Sequence, residues 1–310
     1  MSARTFTIGT RGSRLATRQT EIALEALFAA HTGSTFDTRK ISTSGDRSQE
    51  SLAEIGGRGV FVIEIERALL DGKIDLAVHS LKDLPSAETD GLTVAAVLPR
   101  EDPRDVLVSR DGLPLAALPS GAAIGTGSPR RAAQLTALRS DIEVRDIRGN
   151  VDTRIRKAEE GEYDAVVLAA AGLARLGWLE RASQIFEPEE MLPAVGQGAL
   201  ALQVRSDDRE ALDLVRAVDD RETRVAVTAE RGFERRLGGG CHVAIAAYAT
   251  VGYGPSPERA PLRLRGLVGG EGRLLRGEME SPAGEADALG IRLAEYLIAQ
   301  GADALLEATA

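Results

Sequence analysis

The segment His79–Pro85 (HSLKDLP) places an amine and a carboxylate side by side, directly after a short apolar strand. We predict that strand over Asp75–His79, and polar residues just beyond the carboxyl end of a strand are the usual ligand position in an open α/β sheet. Asp83 beside Lys82 suits proton transfer or the stabilisation of a developing positive charge. A plain turn, in which Asp83 bonds to the local backbone and Pro85 ends the segment, explains the same residues.

Two other segments end a predicted strand in Gly-Thr and then offer a serine where a helix begins. The first is Gly9-Thr10 with Ser13, and the second is Gly125-Thr126 with Ser128, which Pro129 follows. Such helix starts present free backbone N–H groups and a partial positive charge, which suit an anion. Arginines flank both starts, namely Arg11 and Arg14 at the first and Arg130 and Arg131 at the second. Ordinary helix capping beside surface arginines is the competing interpretation.

Residues 128–157 form a basic island, with eight basic and four acidic side chains in a chain of net charge −9. Arg148 follows a predicted strand, and Arg154 lies one turn into the next helix, so the two side chains can converge on one pocket. A guanidinium holds a carboxylate through two parallel hydrogen bonds, which favours a ligand with several carboxylates. A solvated charged surface is an alternative, and so is nucleic acid, although the island has no aromatic residue for base stacking.

Cys241 is the single cysteine and follows three glycines at positions 238–240. A lone thiol can be a nucleophile or a covalent attachment point, and glycines leave room for a bulky group beside it. An inert thiol is the commoner case, and adjacency alone does not make His242 a catalytic partner. One cysteine excludes an internal disulfide, and the three histidines are not spaced as metal ligands, so we expect no metal.

Length and composition bound the class of protein. The 310 residues predict two or three domains, and 43% hydrophobic with 27% charged residues is typical of a soluble globular chain. No apolar run is long enough to span a bilayer, and the acidic balance disfavours nucleic acid as a partner. Because the N-terminus lacks an apolar signal region, we expect a cytoplasmic protein that contacts no membrane. We also expect a monomer.

Strand and helix patterns alternate through the first two thirds of the chain, which favours an α/β class with largely parallel sheets. We predict strands over Phe6–Gly9, Thr38–Thr43, Asp75–His79, Thr93–Leu98, Asp105–Ser109, Ala123–Thr126, Val144–Ile147, Ala165–Ala169 and Ala199–Val204. We predict helices over Arg14–Ala30, Val60–Leu70, Arg131–Arg139, Asp152–Glu160 and Ala171–Leu176. The Ile-Gly-Thr echo at residues 8–10 and 124–126 indicates two similar lobes.

The last third of the chain has a different pattern. A helical stretch near Glu222–Leu237 precedes three strand patterns and a final helix, which predicts a small α+β domain with an antiparallel sheet. The strands are predicted over Val243–Val251, Leu262–Leu267 and Leu274–Glu280, and the helix over about Ala286–Gln300.

Taken together, these segments resemble the porphobilinogen deaminase family. The resemblance runs in order over nearly the whole chain. It is carried by GTRGSRLATRQ at 9–19, VHSLKDLP at 78–85, EDPRDVLVS at 101–109, IGTGSPRR at 124–131, RGNVDTR at 148–154, LPAVGQGAL at 192–200 and TAERGFERRLGGGC at 228–241.

The resemblance implies an α/β fold with two lobes like those of periplasmic binding proteins and a small C-terminal α+β domain. The first lobe would comprise residues 1–98 with 195–217, the second 99–194, and the third domain, which carries the cysteine, 218–310. The implied activity is that of a transferase. It deaminates four porphobilinogen molecules, joins them head to tail on a covalent dipyrromethane cofactor, and releases hydroxymethylbilane and ammonia in tetrapyrrole biosynthesis.

The resemblance also implies roles for individual residues. Cys241 matches the residue that holds the dipyrromethane through a thioether, and Asp83 matches the catalytic carboxylate. Residues that match binding positions for the carboxylates of cofactor and substrate, or other positions of the same cleft, are Arg11, Ser13, Ser80, Lys82, Ser128, Arg130, Arg131, Arg148, Arg154 and Arg175. The stretch Ser42–Arg58 matches a mobile loop, where Arg58 keeps a positive charge.

The chain departs from the family pattern at a few positions. Glu54 and Arg58 stand where bacterial members often have lysines, Ile63 also replaces a lysine, and Gly127 replaces a serine. These changes concern loop closure rather than the class of reaction. Two alternatives stay open, a solute-binding protein with similar lobes and a protein that binds tetrapyrrole intermediates without turnover.

Overall fold

The computed structural model describes residues 4–43, 62–238, 243–270 and 272–307. The chain divides into two compact units. The first comprises Met1–Glu101 and Ala199–Arg224, and the second comprises Asp102–Gly198 and Val225–Ala310. The division into three domains stays a prediction.

Strands and helices are numbered in chain order over the described residues. The strands are β1 Thr5–Thr10, β2 Thr35–Lys40, β3 Leu76–Ser80, β4 Leu92–Val97, β5 Asp105–Ser109, β6 Ala123–Gly125, β7 Glu143–Arg145, β8 Ala165–Ala169, β9 Gln184–Ile185, β10 Leu200–Arg205, β11 Ala244–Val251, β12 Pro261–Gly270 and β13 Arg273–Pro282. The helices are α1 Arg14–Ala30, α2 Ile63–Leu70, α3 Pro129–Leu138, α4 Val151–Glu159, α5 Ala170–Leu176, α6 Arg209–Arg216, α7 Arg221–Arg236, α8 Ala286–Ile298 and α9 Ala302–Glu307.

The first unit is built on a five-stranded sheet of order β2-β1-β3-β10-β4. β1 runs parallel to β2 and β3, whereas β10 is antiparallel to β3 and β4. Leu27 of α1 and Leu214 of α6 are buried on one face, and Ile65 and Leu69 of α2 on the other. The carboxyl ends of β1, β2, β3 and β4 therefore lie at one edge of this sheet, which we call the first edge.

The second unit contains a sheet of order β7-β6-β8-β5-β9. β6 is parallel to β7 and β8, and β5 is antiparallel to β8 and β9. Leu135 of α3 is buried on one face, and Ile155 of α4 with Leu173 of α5 on the other. The arrangement repeats that of the first sheet, which confirms the two similar lobes. The second edge is where β6, β7 and β8 end and β5 begins.

The second unit also contains an antiparallel sheet of order β11-β12-β13. α8 and α9 pack against it, and Phe233 of α7 is fully buried in the same core. A Cβ at Gly266 would lie 2.6 Å from the Phe233 ring, so this close approach needs glycine. α3 contacts β11 and β12 as well. The predicted C-terminal α+β pattern is confirmed.

Most predicted elements are confirmed within a few residues, and α1, β5 and β8 have the predicted bounds. β2 lies three residues earlier than predicted, because it pairs with β1 along its whole length, from Thr5↔Thr35 to Thr10↔Lys40. β9, α6 and α9 were not predicted. Over the described residues, no helix combines the length and apolar character that crossing a membrane requires.

Candidate active site

The first edge begins where β1 passes into α1. Ser13 is the N-cap of α1, and its Oγ accepts a hydrogen bond from the Ala16 backbone N–H at 3.2 Å. Thr10, the last residue of β1, donates from Oγ1 to the Ala16 carbonyl at 3.2 Å. The turn between Thr10 and Ser13 carries Arg11. The capping predicted from sequence is confirmed, and it places Arg11 beside a helix N-terminus, where the partial charge is positive.

Asp83 lies at the same edge, just beyond the end of β3. Leu81–Asp83 forms a single 3-10 turn, in which Leu81 is 2% exposed and its N–H donates to the Ala199 carbonyl at 3.0 Å. Because Leu81 anchors this turn in the core, Lys82 and Asp83 take half-buried positions. Ser80, at the strand end, accepts a hydrogen bond from Gln19 of α1 at 2.8 Å. The strand end, the turn and α1 are thus fastened together.

A chain of polar side chains lies next to this turn, in which His79 and Gln203 are buried and Glu66 and Thr89 are half-buried. His79 Nε2 is 3.1 Å from Gln203 Oε1, Gln203 Nε2 donates to Glu66 Oε1 at 2.8 Å, and Thr89 Oγ1 donates to Glu66 Oε2 at 2.8 Å. Burial lowers the pKa of His79 to about 4, and the charge of Arg11 acts in the same direction, against the hydrogen bond to Gln203. His79 is therefore neutral at pH 7. Since Gln203 Oε1 is an acceptor, the proton of His79 lies on Nε2.

At the second edge, β6 passes into α3 through an equivalent cap. Ser128 is the N-cap of α3 and accepts from the Arg131 N–H at 3.5 Å, and Pro129 is the first helical residue, as predicted. Thr126 Oγ1 accepts from the Ser128 N–H at 3.2 Å and closes the turn. The first turn of α3 carries Arg130, so both sequence echoes end in the same structural device.

Arg130 and Arg131 bind a carboxylate that belongs to the protein itself. Asp105, the first residue of β5, is completely buried, and Arg130 Nη1 donates to its Oδ2 at 2.6 Å. Arg131 donates to Asp105 Oδ1 from Nη2 at 2.7 Å and from Nε at 3.1 Å. Gln197 Nε2 donates to the same oxygen at 2.9 Å. We call these four residues the Asp105 cluster.

The Asp105 cluster carries one net positive charge, since two guanidiniums share one carboxylate. Burial alone would raise the pKa of Asp105, but the charges of Arg130 and Arg131 outweigh it and hold that pKa well below its usual range. Burial lowers the pKa of Arg130, against the attraction of Asp105. Asp105 is therefore ionised at neutral pH.

Three further predicted arginines lie near strand or loop ends of the second unit. Arg148 follows β7, and its buried Nε is 3.5 Å from Asp146 Oδ2 but makes no hydrogen bond within the described part of the chain. Arg154 Nε donates to the Gly149 carbonyl at 2.8 Å. Arg175 Nη2 donates to the Gly198 carbonyl at 2.6 Å. Arg148 thus keeps a buried donor nitrogen unused.

The predicted site residues fall into three groups. Those placed around the first edge are Arg11, Ser13, Ser80, Lys82 and Asp83. Those of the second unit are Ser128, Arg130, Arg131, Arg148, Arg154 and Arg175. Cys241 and Arg58 lie outside the described residues. The sequence reasoning missed Asp105 and Gln197, although both stand inside motifs quoted above, EDPRDVLVS and LPAVGQGAL.

Family models match almost the whole chain. The model "Porphobilinogen deaminase, dipyromethane cofactor binding domain" matches residues 6–213, and "Porphobilinogen deaminase, C-terminal domain" matches residues 224–299. The chain belongs to the porphobilinogen deaminase family. The porphobilinogen deaminase of Roseiflexus sp. (strain RS-1) is 50% identical over 304 residues, which cover 97% of this chain and 98% of that protein. That of Syntrophotalea carbinolica is 48% identical over 311 residues, covering 99% and 97%.

Solved structures of other proteins also align with this chain. The VFT2 domain of Bordetella pertussis BvgS is 15% identical, with a TM-score of 0.44, and covers 69% of this chain and 86% of its own. The methionine-binding protein MetQ is 12% identical, with a TM-score of 0.44, and covers 71% and 92%.

Family membership gives the activity. The protein is a transferase that deaminates porphobilinogen and joins four molecules head to tail on a dipyrromethane cofactor, releasing hydroxymethylbilane and ammonia. This sets aside the solute-binding alternative and the alternative of binding without turnover.

The donor groups of this structure suit a dipyrromethane, whose pyrroles carry carboxylate side chains. In the second unit, Arg148 offers a buried Nε without a hydrogen bond, the Asp105 cluster offers a net positive charge, and the capped start of α3 offers backbone N–H groups. Within the described ranges, no three His, Cys, Asp or Glu side chains come together as metal ligands.

Proposed function

We propose that Asp83 is the catalytic carboxylate of the condensation. The observation that carries this role is the anchored turn Leu81–Asp83, which holds a half-buried carboxylate just beyond the end of β3, at the first edge. A fixed, partly desolvated carboxylate stabilises developing positive charge better than a mobile one in water.

The bound dipyrromethane supplies the free pyrrole α-carbon to which the first substrate is joined. Asp83 accepts hydrogen bonds from pyrrole N–H groups and so orients the substrate. As ammonia leaves, the positive charge that develops on the substrate is stabilised by the Asp83 carboxylate. After the carbon–carbon bond has formed, the same carboxylate takes up the proton that the α-carbon loses.

The arginines of both units bind carboxylate side chains of cofactor and substrate in this proposal. Arg148 supports it most directly, because its buried Nε makes no hydrogen bond among the described residues and has only a 3.5 Å ion pair with Asp146. Each added pyrrole brings two more carboxylates, so positive charge at the site offsets charge that grows with every condensation. The other residues assigned to this binding are Arg11, Ser13, Ser80, Lys82, Ser128, Arg130, Arg131, Arg154 and Arg175, and Arg58 is assigned to the adjacent loop.

Cys241 is the proposed attachment point of the dipyrromethane, through a thioether. It is the chain's one thiol, and the glycines before it leave room for a bulky group. The test compares the wild type with Cys241→Ser after incubation with porphobilinogen, using intact mass after denaturation and peptide mapping. We expect a covalent adduct on Cys241 in the wild type and none in the variant. An adduct that persists in Cys241→Ser would contradict the assignment.

The protein is further proposed to work as a cytoplasmic monomer. A chain with a single cysteine needs no oxidising compartment for its stability. Most of the large apolar side chains exposed in the described part come from separate elements, such as Phe28 of α1, Leu138 of α3 and Tyr296 of α8, and two of them, Ile63 and Leu70, share α2. Light scattering coupled to size-exclusion chromatography measures the molar mass in solution. We expect the mass of one chain, and the mass of a dimer would contradict the proposed monomer.

A further inference from the structure

The Asp105 cluster is buried more deeply than a surface ion pair, and every member has a fixed partner. Asp105 and Gln197 have no exposed surface, and the side chains of Arg130 and Arg131 are only 5% and 7% exposed. Gln197 Nε2 also donates to the Pro103 carbonyl at 2.6 Å. A buried carboxylate with this many donors is held in one orientation, and it orients the donors in turn.

The two guanidiniums use different nitrogen atoms toward Asp105. Arg131 presents its Nε and Nη2 to Oδ1, and its Nη1 donates to the Val167 carbonyl at 2.9 Å. Among the described residues, Arg130 donates from Nη1 alone, to Asp105 and to the Leu192 carbonyl at 2.8 Å. The Nε and Nη2 atoms of Arg130 together can pair with a carboxylate through two hydrogen bonds, and among the described residues neither atom donates to an acceptor.

The position of Asp105 in its sheet places the Asp105 cluster at the second edge. Asp105 pairs with Ala169, the last residue of β8, and so lies at the second edge. Arg130 stands in the first turn of α3, whose N-terminal backbone favours anions. A second carboxylate bound at Arg130 would also cancel the one net positive charge of the cluster.

We propose that Asp105 is a positioning residue for carboxylate binding: it fixes the guanidiniums of Arg130 and Arg131, cancels one of their two charges, and leaves the Nε–Nη2 edge of Arg130 for a single carboxylate of the pyrrole ligand. This inference rests on the proposed role of Arg130 in binding cofactor and substrate. It gives a function to Asp105, a residue that has no role in the proposal for Arg130.

The first test measures how fast full-length protein, purified from cells that make no porphobilinogen, acquires the covalent cofactor when porphobilinogen is added. Intact mass after denaturation gives the loaded fraction with time. Asp105→Asn keeps the shape of the side chain and removes its charge, and we expect loading to slow at least tenfold. Asp141→Asn is the matched control, because Asp141 pairs with Arg139 at the other, exposed end of α3. Loading by this control should match the wild type.

Arg130→Gln separates this inference from the proposal beneath it. Slow loading by both Arg130→Gln and Asp105→Asn supports the positioning role. Slow loading by Arg130→Gln together with normal loading by Asp105→Asn overturns the positioning role of Asp105. It is still consistent with a contact between Arg130 and a ligand carboxylate. Normal loading by Arg130→Gln contradicts the contact itself, and the positioning role fails with it.

A second measurement uses the wild-type protein, and it tests the inference even if Asp105→Asn does not fold. Nitrogen-15 NMR follows hydrogen exchange of the arginine Nε–Hε groups before and after loading, with assignments from Arg130→Lys and Arg131→Lys. We expect Arg131 Hε to exchange slowly before loading, because it is already bonded to Asp105. Arg130 Hε should become protected only after loading. Rapid exchange of Arg131 Hε before loading, or no change at Arg130, would overturn the inference.

Discussion

The two sheets share one strand order but place different polar groups behind their ligand edges. Behind the first edge lies the chain from His79 through Gln203 to Glu66, in which the imidazole is neutral. Behind the second edge lies the Asp105 cluster, with three charged groups. The same topology therefore supports two environments. The strand order determines where the strand ends that can bind ligands lie. A few buried side chains determine the charge at those strand ends.

This difference matches the proposed division of work between the units. The first edge holds Asp83, the carboxylate that we propose exchanges protons and stabilises transient positive charge. The second unit concentrates arginines, such as Arg130 and Arg148, which suit permanent carboxylates. A change at Asp83 should therefore reduce catalysis, and a change at an arginine of the second unit should weaken binding.

The largest effect is expected at the first edge, from Asp83→Asn. This change keeps the size of the side chain but removes its charge and basicity, so we expect turnover of porphobilinogen to fall about 10²–10⁴-fold. Circular dichroism should show an unchanged fold. Asp90→Asn is the control, since Asp90 is exposed in the loop that follows. Near-normal formation of hydroxymethylbilane by Asp83→Asn would remove Asp83 from the proposed mechanism.

At the second edge, Arg148→Gln should weaken ligand binding rather than chemistry. Losing one charged partner of a carboxylate costs about 1–3 kcal/mol, or roughly 5–150-fold in affinity. Steady-state kinetics should therefore show a raised KM or incomplete cofactor loading. Arg145→Gln is the control, because Arg145 on β7 is exposed and pairs with Glu143. Equal kinetics for Arg148→Gln and Arg145→Gln would place Arg148 outside the binding site.

The buried imidazole of His79 predicts a pH dependence of stability. The pKa of His79 in the folded protein is about 4, below its ordinary value of 6.5. Protons therefore bind to His79 in the unfolded chain first, and this contribution to stability is lost as pH falls from 6.5 toward 4. Between pH 7 and pH 5 the loss is about 2 kcal/mol.

Urea unfolding at pH 7 and pH 5 measures this loss. We expect the free energy of unfolding of the wild type to fall about 2 kcal/mol further than that of His79→Gln over this interval. His31→Gln is the control, because His31 is only partly buried and contacts the Leu214 carbonyl. Parallel losses in the wild type and His79→Gln would show that His79 is not neutral and buried.

The smallest effects should come from the two helix caps. Ser13→Ala removes a 3.2 Å cap of α1 and should destabilise the fold by about 1 kcal/mol. Ser128→Ala should cost less, because its cap distance is 3.5 Å. Urea unfolding of both variants measures the difference. A larger loss for Ser128→Ala would contradict the order that these distances predict.

Local patterns made much of the fold predictable. Ser13 and Ser128 are caps where the sequence indicates them, and the Ile-Gly-Thr echo marks two sheets of equal strand order. β9 was missed because two residues, Gln184 and Ile185, are too few to show alternation. α6 was missed although Ala211, Leu214 and Val215 have helical spacing after the cap Asp208, so a usable signal was present.

The contacts within the Asp105 cluster could not be predicted from local patterns. Asp105 meets Arg130 and Arg131 across 25 and 26 residues, and Gln197 across 92. No local rule relates positions so far apart, because the sheet order that brings them together is a property of the whole unit. The arginine pair was therefore predicted to bind ligand carboxylates, with no indication that a protein carboxylate already engages it.

The most direct test of the account is a time course of intact mass after porphobilinogen is added to the wild type and to Asp83→Asn. The wild type should carry a covalent excess equal to two porphobilinogens less two ammonias, mapped to Cys241, and then gain mass in single pyrrole steps. Asp83→Asn should gain far fewer of these steps over the same time. An unmodified wild type that stays unmodified, or equal stepwise growth in both proteins, would contradict the account.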